Sequence, residues 1–376
     1  MSLRYTAAWL QDGAFNPLTA PTPIVTYSPY IYSWGSNNFG QLGVGDTTNR
    51  SSPTQVGSLT TWLQVSARYH TIATKIDGTL WVWGRNNNGQ LGVGNTSNYS
   101  SPVQVGALTN WLTVSAGYSH TAAIKTDGTL WSWGLNAQGP LGLGNTTSYS
   151  SPKQVGSLTN WLYVSCGYAF TIALKTDGTM WSWGSGSIGR LGLGNETNRS
   201  SPNQIGALTT WSKIFCAYYH TIALKTDGTL WAWGKNSSGN LGTGNTTNYS
   251  SPVQVGALTN WLFISSGGYH SSGIKTDGTL WKWGQGTYGQ LGRNNTTQYN
   301  SPVQVGALTT WSKAGCGFYF STATKTDGTL WSWGQNTSGQ LGLNNTTYYS
   351  SPKQVGALTT WLNISSGGYS SATLLY

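Results

Sequence analysis

His120-Thr-Ala-Ala-Ile-Lys-Thr-Asp-Gly-Thr-Leu-Trp-Ser-Trp-Gly134 holds two strand-forming runs around Asp127-Gly128. Asp-Gly is a strong signal for a two-residue hairpin turn with both positions at positive φ. The turn recurs at Asp77, Asp177, Asp227, Asp277 and Asp327. A further run, residues 111–115, precedes the hairpin, and a short fourth follows at residues 103–105 with Pro102 at its entrance. Proline has no amide donor, so it suits an edge strand. Four strands in about 50 residues, with no segment of helical period, describe one blade of a propeller.

The Trp-Gly pairs at Trp34, Trp83, Trp133, Trp183, Trp233, Trp283 and Trp333 are spaced by 49 residues once and by 50 thereafter. The short step arises between Trp62 and His70, one residue fewer than between Trp111 and His120. A second ladder, Trp62, Trp111, Trp161, Trp211, Trp261, Trp311 and Trp361, also has seven rungs. The C-terminal residues 361–376 supply the first two strands of a unit, and residues 30–35 and 52–56 supply the third and fourth. The expected fold is all-β: a seven-bladed β-propeller of four-stranded antiparallel blades, closed by one blade shared between N- and C-terminal strands. Such closure removes open sheet edges. The propeller occupies residues 30–376, with a split blade 361–376 plus 30–61 and units 62–110, 111–160, 161–210, 211–260, 261–310 and 311–360. Residues 1–29 form an extended arm ahead of it.

Ser115-Ala-Gly-Tyr-Ser-His-Thr121, Asp127-Gly-Thr-Leu-Trp-Ser-Trp-Gly134 and Gly89-Gln-Leu-Gly92 resemble the elements of the regulator-of-chromosome-condensation repeat proteins. The resemblance spans residues 30–376 and implies a seven-bladed propeller. Its functional implications are broad: nucleotide exchange, enzyme inhibition, light sensing and adhesion all occur on this scaffold. Exchange on a small GTPase, as the resemblance implies it, uses an acidic face, an inserted wedge and a basic tail. This chain has few acids, no insertion between repeats, and only Arg4 as a cation in its first 29 residues. The light receptors of the family carry Gly-Trp-Arg-His-Thr where this chain has Gly117-Tyr-Ser-His-Thr121.

Enzymatic chemistry finds no footing in the residues, and no cofactor is called for. His70, His120, His220 and His270 share one repeat position with Phe170, Phe320 and Ser370, which marks packing rather than metal binding. The turns take up six of the nine acids, leaving Asp12, Asp46 and Glu196, so no carboxylate pair is available for acid–base work. Cys166, Cys216 and Cys316 alternate with Ala67, Ala116, Ser266 and Ser366, a small buried position. The net charge of +10 sits on scattered variable positions of a chain with only 7% charged residues. Diffuse solubility charge accounts for it better than a nucleic-acid stripe, and nucleic acid is disfavoured as a partner.

A binding or assembly module remains. Variation concentrates after Trp-Gly and before the His position, where Phe39, Arg68, Tyr69, Arg85, Tyr118, Tyr218, Tyr219, Lys235, Tyr269, Tyr288, Phe318 and Tyr319 are the candidate partner-binding residues. Loops on a rigid scaffold commonly carry recognition, and Tyr, Asn, Ser and Gly are the adaptable contact set; the competing reading is tolerated drift. Residues 1–29 lack the charged region and apolar run of a secretory signal or membrane span. Leu3, Tyr5, Trp9, Leu10, Phe15 and Leu18 give them the apolar weight of a docking arm. The expected function is a structural protein on the surface of a virus particle, a bacteriophage above all. Its arm would hold other structural proteins, and its propeller would decorate the particle or meet a host-surface protein or glycan. The alternative is a cytoplasmic adaptor or inhibitor gripping one protein partner, with a guanine-nucleotide exchange factor third.

Overall fold

A computed structural model describes residues 29–375. The candidate arm residues Leu3, Tyr5, Trp9, Leu10, Phe15 and Leu18 lie outside the described residues. The described chain forms seven four-stranded antiparallel sheets arranged as blades around an axis. In the blade begun by Trp111–Ala116, the chain proceeds outward through His120–Lys125 and Leu130–Gly134 to Tyr149–Gln154. The first strands of all seven blades line an axial channel, through residues such as Val65, Val114, Tyr163, Ile214, Ile264, Ala314 and Ile364. The fourth strands lie at the rim, where half-exposed and exposed positions predominate.

Closure follows the sequence pattern. Tyr30–Gly35 pairs along its length with Ser370–Leu375, from Tyr30 opposite Leu375 to Gly35 opposite Ser370. Arg50–Gln55 and Trp361–Gly367 complete that sheet on its outer and inner sides. The two ends of the chain therefore share one blade, and each supplies the hydrogen-bonding edge that the other lacks.

The hairpin turn differs in type from the two-residue form. Gly128 donates to the Lys125 carbonyl at 2.9 Å and Lys125 N–H donates to the Thr129 carbonyl at 3.0 Å, so Thr126, Asp127 and Gly128 form a three-residue loop. Only Gly128 takes positive φ, at +76°. Asp127 is held otherwise because its carboxylate accepts from the Thr129 N–H at 2.9 Å and the Thr129 hydroxyl at 2.7 Å. That hydroxyl accepts in turn from Trp131 Nε1–H at 2.9 Å, which explains Asp-Gly-Thr-Leu-Trp as a unit. The fourth strand is also longer than residues 103–105. It covers Tyr99–Gln104, with Pro102 inside it where the register against Leu80–Gly84 slips. A bulge on an edge strand is where a missing N–H does least harm.

The core lies between blades. One cluster joins Ile72, Leu80, Val82 and Leu91 of one blade to Trp111, Val114, Ala123 and Trp133 of the next. Trp133 is fully buried, and its Nε1–H donates to the Gln90 carbonyl of the preceding blade at 2.9 Å. The same bond closes the ring from Trp34 to the Gln340 carbonyl, at 3.0 Å. Gly92 fits this contact doubly: its φ is +75°, and a Cβ there would stand 2.6 Å from Trp133 Nε1. Gly106, at φ +59°, faces open space. Gly92→Ala should therefore cost about 3 kcal/mol in urea unfolding, combining the left-handed penalty with overpacking, and Gly106→Ala about 1 kcal/mol. Equal losses would contradict the interlock.

Candidate functional site

The loop joining the first and second strands of each blade turns sharply. Gly117 N–H donates to the His120 carbonyl at 2.9 Å, and a Cβ on Gly117 would meet the His120 ring at 2.6 Å. The next residue is thrown toward the axis, and its backbone links to the following loop, as in Tyr118 N–H to the Gly167 carbonyl at 3.3 Å and Phe318 N–H to the Gly368 carbonyl at 3.0 Å. Side chains from alternate blades consequently meet over the channel. Tyr218 lies 5.4 Å from Tyr118 and 4.6 Å from Phe318, each two blades away, and 4.5 Å from Tyr168 of the neighbouring blade, ring centre to ring centre. Such contacts across two blades are possible only near the axis.

A second arc of rings surrounds this cluster. Tyr269 and Tyr319 stack at 5.4 Å with an interplanar angle of 6°. Tyr69 meets Tyr118 at 4.8 Å, and Tyr219 meets Tyr218 at 4.5 Å. The long loops after Trp-Gly extend the plate outward: Phe39 meets Tyr69 at 6.2 Å and Tyr288 meets Tyr319 at 5.0 Å. Cations lie on it, with the Arg85 guanidinium 5.3 Å from the Phe39 ring and Lys235 Nζ 4.9 Å from the Tyr219 ring. Burial pushes the Tyr69, Tyr218 and Tyr319 phenols well above their ordinary pKa, and neighbouring phenols add to it. The surface is thus aromatic and neutral at its centre, with fixed positive charge around it.

All twelve loop residues singled out from the sequence fall at this one end of the ring. The sequence reading missed Tyr168, Tyr369 and Arg190. Tyr369 packs on Phe318 at 5.4 Å, and the Arg190 guanidinium lies 5.3 Å from the Tyr219 ring. Arg190 was legible as the residue replacing Gln in the Gly-Gln-Leu-Gly element, and Tyr168 as a plain repeat of Tyr118. Arg68 occupies a place its spacing did not announce. Its loop is the one-residue-short one, and the side chain bends under the plate into the channel. There Nε donates to the Ala116 carbonyl at 3.1 Å, and Nη2 donates to the Cys216 carbonyl at 2.9 Å and the Cys166 carbonyl at 3.4 Å.

The histidines serve the joints between blades. His70 Nε2 lies 2.8 Å from Thr121 Oγ1, and His120 Nε2 lies 3.0 Å from Thr171 Oγ1. Thr121 spends its proton on the Gln90 carbonyl at 2.7 Å, so His70 Nε2 carries the shared hydrogen and Nδ1 is bare. Packing alone, the expectation from the Phe-substituted blades, is therefore half of the account; the His blades add a polar link. Burial lowers the pKa of His70, His120 and His220 to about 3. Lys282, fully buried where other blades have Ser, Ala or Val, donates to Ser321 Oγ at 2.7 Å and works in the same direction on His270. Burial raises the thiols of Cys166 to about 11 and Cys216 to about 12. Among the described residues no three His, Cys, Asp or Glu side chains gather as a metal-binding set. No described helix is long and apolar enough to cross a membrane.

The depressed histidine pKa values imply a pH effect. The unfolded chain takes up these protons from about pH 6.5 downward, whereas the folded ring takes them up only near pH 3. Stability present above pH 6.5 is lost as pH falls through that window, by about 1.4 kcal/mol per pH unit for each histidine. His120→Phe, a residue other blades already use, should flatten the urea-midpoint profile between about pH 6 and 4.5 by one histidine's share. An unchanged slope would contradict the buried neutral ring.

The chain belongs to the regulator of chromosome condensation family: the RCC1-like domain matches residues 105–373, and the regulator of chromosome condensation (RCC1) repeat matches residues 30–74 and 77–124. No curated protein matches the chain at a significant level. Among solved structures, Prp20p from Saccharomyces cerevisiae is 20% identical over 93% of this chain and 92% of its own, with a TM-score of 0.83. Human WBSCR16 is 21% identical over 93% of this chain and 99% of its own, also with a TM-score of 0.83. The yeast protein is described with its binding to Gsp1p and histones, and in complex with Kap60. At this identity the likeness is one of fold.

Proposed function

We propose that this protein is a non-enzymatic binding and assembly protein of a virus particle, most simply a bacteriophage. It presents the tyrosine plate to a host-surface glycan or protein. The observation that carries the reading is the convergence of the variable aromatic and cationic loop residues on one end of the ring. Tyrosine gives large contact area at low entropy cost and a polar tip for hydrogen bonds. A sugar ring stacks its C–H face on such a surface, and carboxylated sugars would meet the half-buried Arg85 and Lys235 at its margin. Near-copy repeats, a Ser/Thr/Asn/Gly-rich uncharged composition and the apolar residues of segment 1–29 support placement on a particle, with the segment as anchor.

A protein partner is the second reading, favoured by the fold neighbours that bind Gsp1p, histones and Kap60. Nucleotide exchange fits less well, because the plate is ringed by cations. The nearest acids differ in standing: Asp46 is paired with Arg50 at 2.5 Å, and Glu196 faces Arg190.

Two measurements test the proposal. On a glycan array the purified protein should bind acidic glycans, and Tyr269→Ala with Tyr319→Ala should weaken that binding about 10-fold or more while leaving the thermal midpoint nearly unchanged. Binding retained by the double variant would place recognition elsewhere. Deletion of residues 1–29 should leave a folded ring that no longer enters native particles, and retained incorporation would remove the anchoring role.

A further inference from the structure

The axial channel holds a cavity of about 440 Å³, within the size range of small-molecule sites. One end lies at Arg68, beneath the rings that meet over the axis. Among the described residues the mouth lies on the side of the Asp-Gly turns, beside Leu112, Asp127, Thr159 and Leu162. Between these ends Tyr163, Phe215 and Phe263 give the walls an apolar character. Lys213 and Lys313 also line the channel, donating to the Leu262 carbonyl at 2.7 Å and to Asn363 Oδ1 at 2.8 Å.

Among the described residues the charge of Arg68 has no counter-ion. Its bonds run to three backbone carbonyls, which hold the guanidinium in place as dipoles without neutralising it. Asp127, the one carboxylate on the channel wall among the described residues, lies at the opposite end and accepts from both the N–H and the hydroxyl of Thr129. The only ion pair among the described residues joins Arg50 to Asp46. A guanidinium offers five donors in a planar fork matched to a carboxylate. Arg68 is half-buried at this end of the channel, and a cation partly withdrawn from water gains from an anionic partner. The surrounding wall would accept a slender apolar body behind such a head group.

We infer that the channel is a binding site for a small amphipathic anion, a medium-chain carboxylate in class, which enters from the Asp-Gly side and seats its carboxylate on Arg68. The shortened loop of one blade is the device that builds the site. Five other blades have Gly at the corresponding turn and one has Ala217; a Cβ on Gly167 would come within 2.0 Å of the Phe170 ring of its own blade, and one on Gly267 within 2.0 Å of the Gly317 carbonyl. Among near-equivalent blades, only this one places an arginine at the plate end of the channel, while Lys213 and Lys313 line its wall. This site is separate from the tyrosine plate, so neither reading depends on the other.

The test uses the full-length protein, with octanoate and octanol as probes in calorimetric titration. Octanoate should bind at least ~10-fold more tightly than octanol, and Arg68→Gln should remove that preference, as loss of a charge-assisted pair predicts. Because Arg68→Gln could also loosen the plate, a crystal of the wild-type protein with an ω-bromo-octanoate provides a second readout. The carboxylate should lie on Arg68 and the bromine toward the open mouth. Octanoate binding no stronger than octanol, binding unaffected by Arg68→Gln, or bromine density outside the channel would each overturn the proposal.

Discussion

One hydrogen bond, repeated around the ring, holds the molecule to its shape. The indole N–H of the Trp in each Trp-Gly pair donates to a backbone carbonyl of the preceding blade: Trp83 to Gln41, Trp133 to Gln90, Trp183 to Pro140, Trp233 to Arg190, Trp283 to Asn240, Trp333 to Gln290, and Trp34 back to Gln340. Each is made in a fully buried site, where an unmade bond would cost the full desolvation of the donor. The acceptor is a main-chain oxygen, so the residue that carries it is free to vary. That freedom is how Pro140 and Arg190 stand where other blades have Gln or Asn. The bond therefore fixes the angle between blades and leaves side chains at the loop end open to a different use.

The two ends of the ring follow from this division. At the Asp-Gly end, Asp, Thr and Trp are tied into one network in blade after blade, with Lys125 Nζ 3.8 Å from the Trp131 ring centre and its counterparts placed alike. Six blades share this turn and little distinguishes them there; the blade shared by the chain's two terminal strand pairs lacks it. At the other end the same strands hand over to loops whose backbones are pinned by glycine and whose side chains differ, and these meet over the axis as the tyrosine plate. A rigid frame with one uniform end and one individual end is the division expected of a recognition scaffold.

Much of this was legible in the sequence, because periodicity reports packing directly. The count of seven, the four strands per unit and the shared terminal blade all followed from the spacing of Trp and from the partial units at residues 30–56 and 361–376. The loop residues at one end were found from variation between repeats. What the repeats could not report was any feature set by contacts across the axis. The one-residue shortening before His70 was visible as a number, but its result, an arginine swung under the plate, depends on three other blades supplying carbonyls. The histidine position was read as packing because Phe replaces it, whereas its hydrogen bond reaches a Thr or Ser 51 residues away. Asp-Gly in the sequence predicts a two-residue turn, whereas the Asp127 carboxylate, bonded to Thr129, draws Thr126 into a three-residue loop.

The central claim is that the tyrosine plate, and not the Asp-Gly end, is the working surface. Hydroxyl-radical footprinting of the native particle or complex, compared with the free protein, tests it most directly. Oxidation should fall at Tyr69, Tyr219, Tyr269 and Tyr319 when the partner is bound, with Trp81 and Trp131 near the Asp-Gly turns unaffected. Protection confined to Trp81 and Trp131, with the four tyrosines still fully reactive, would contradict the account.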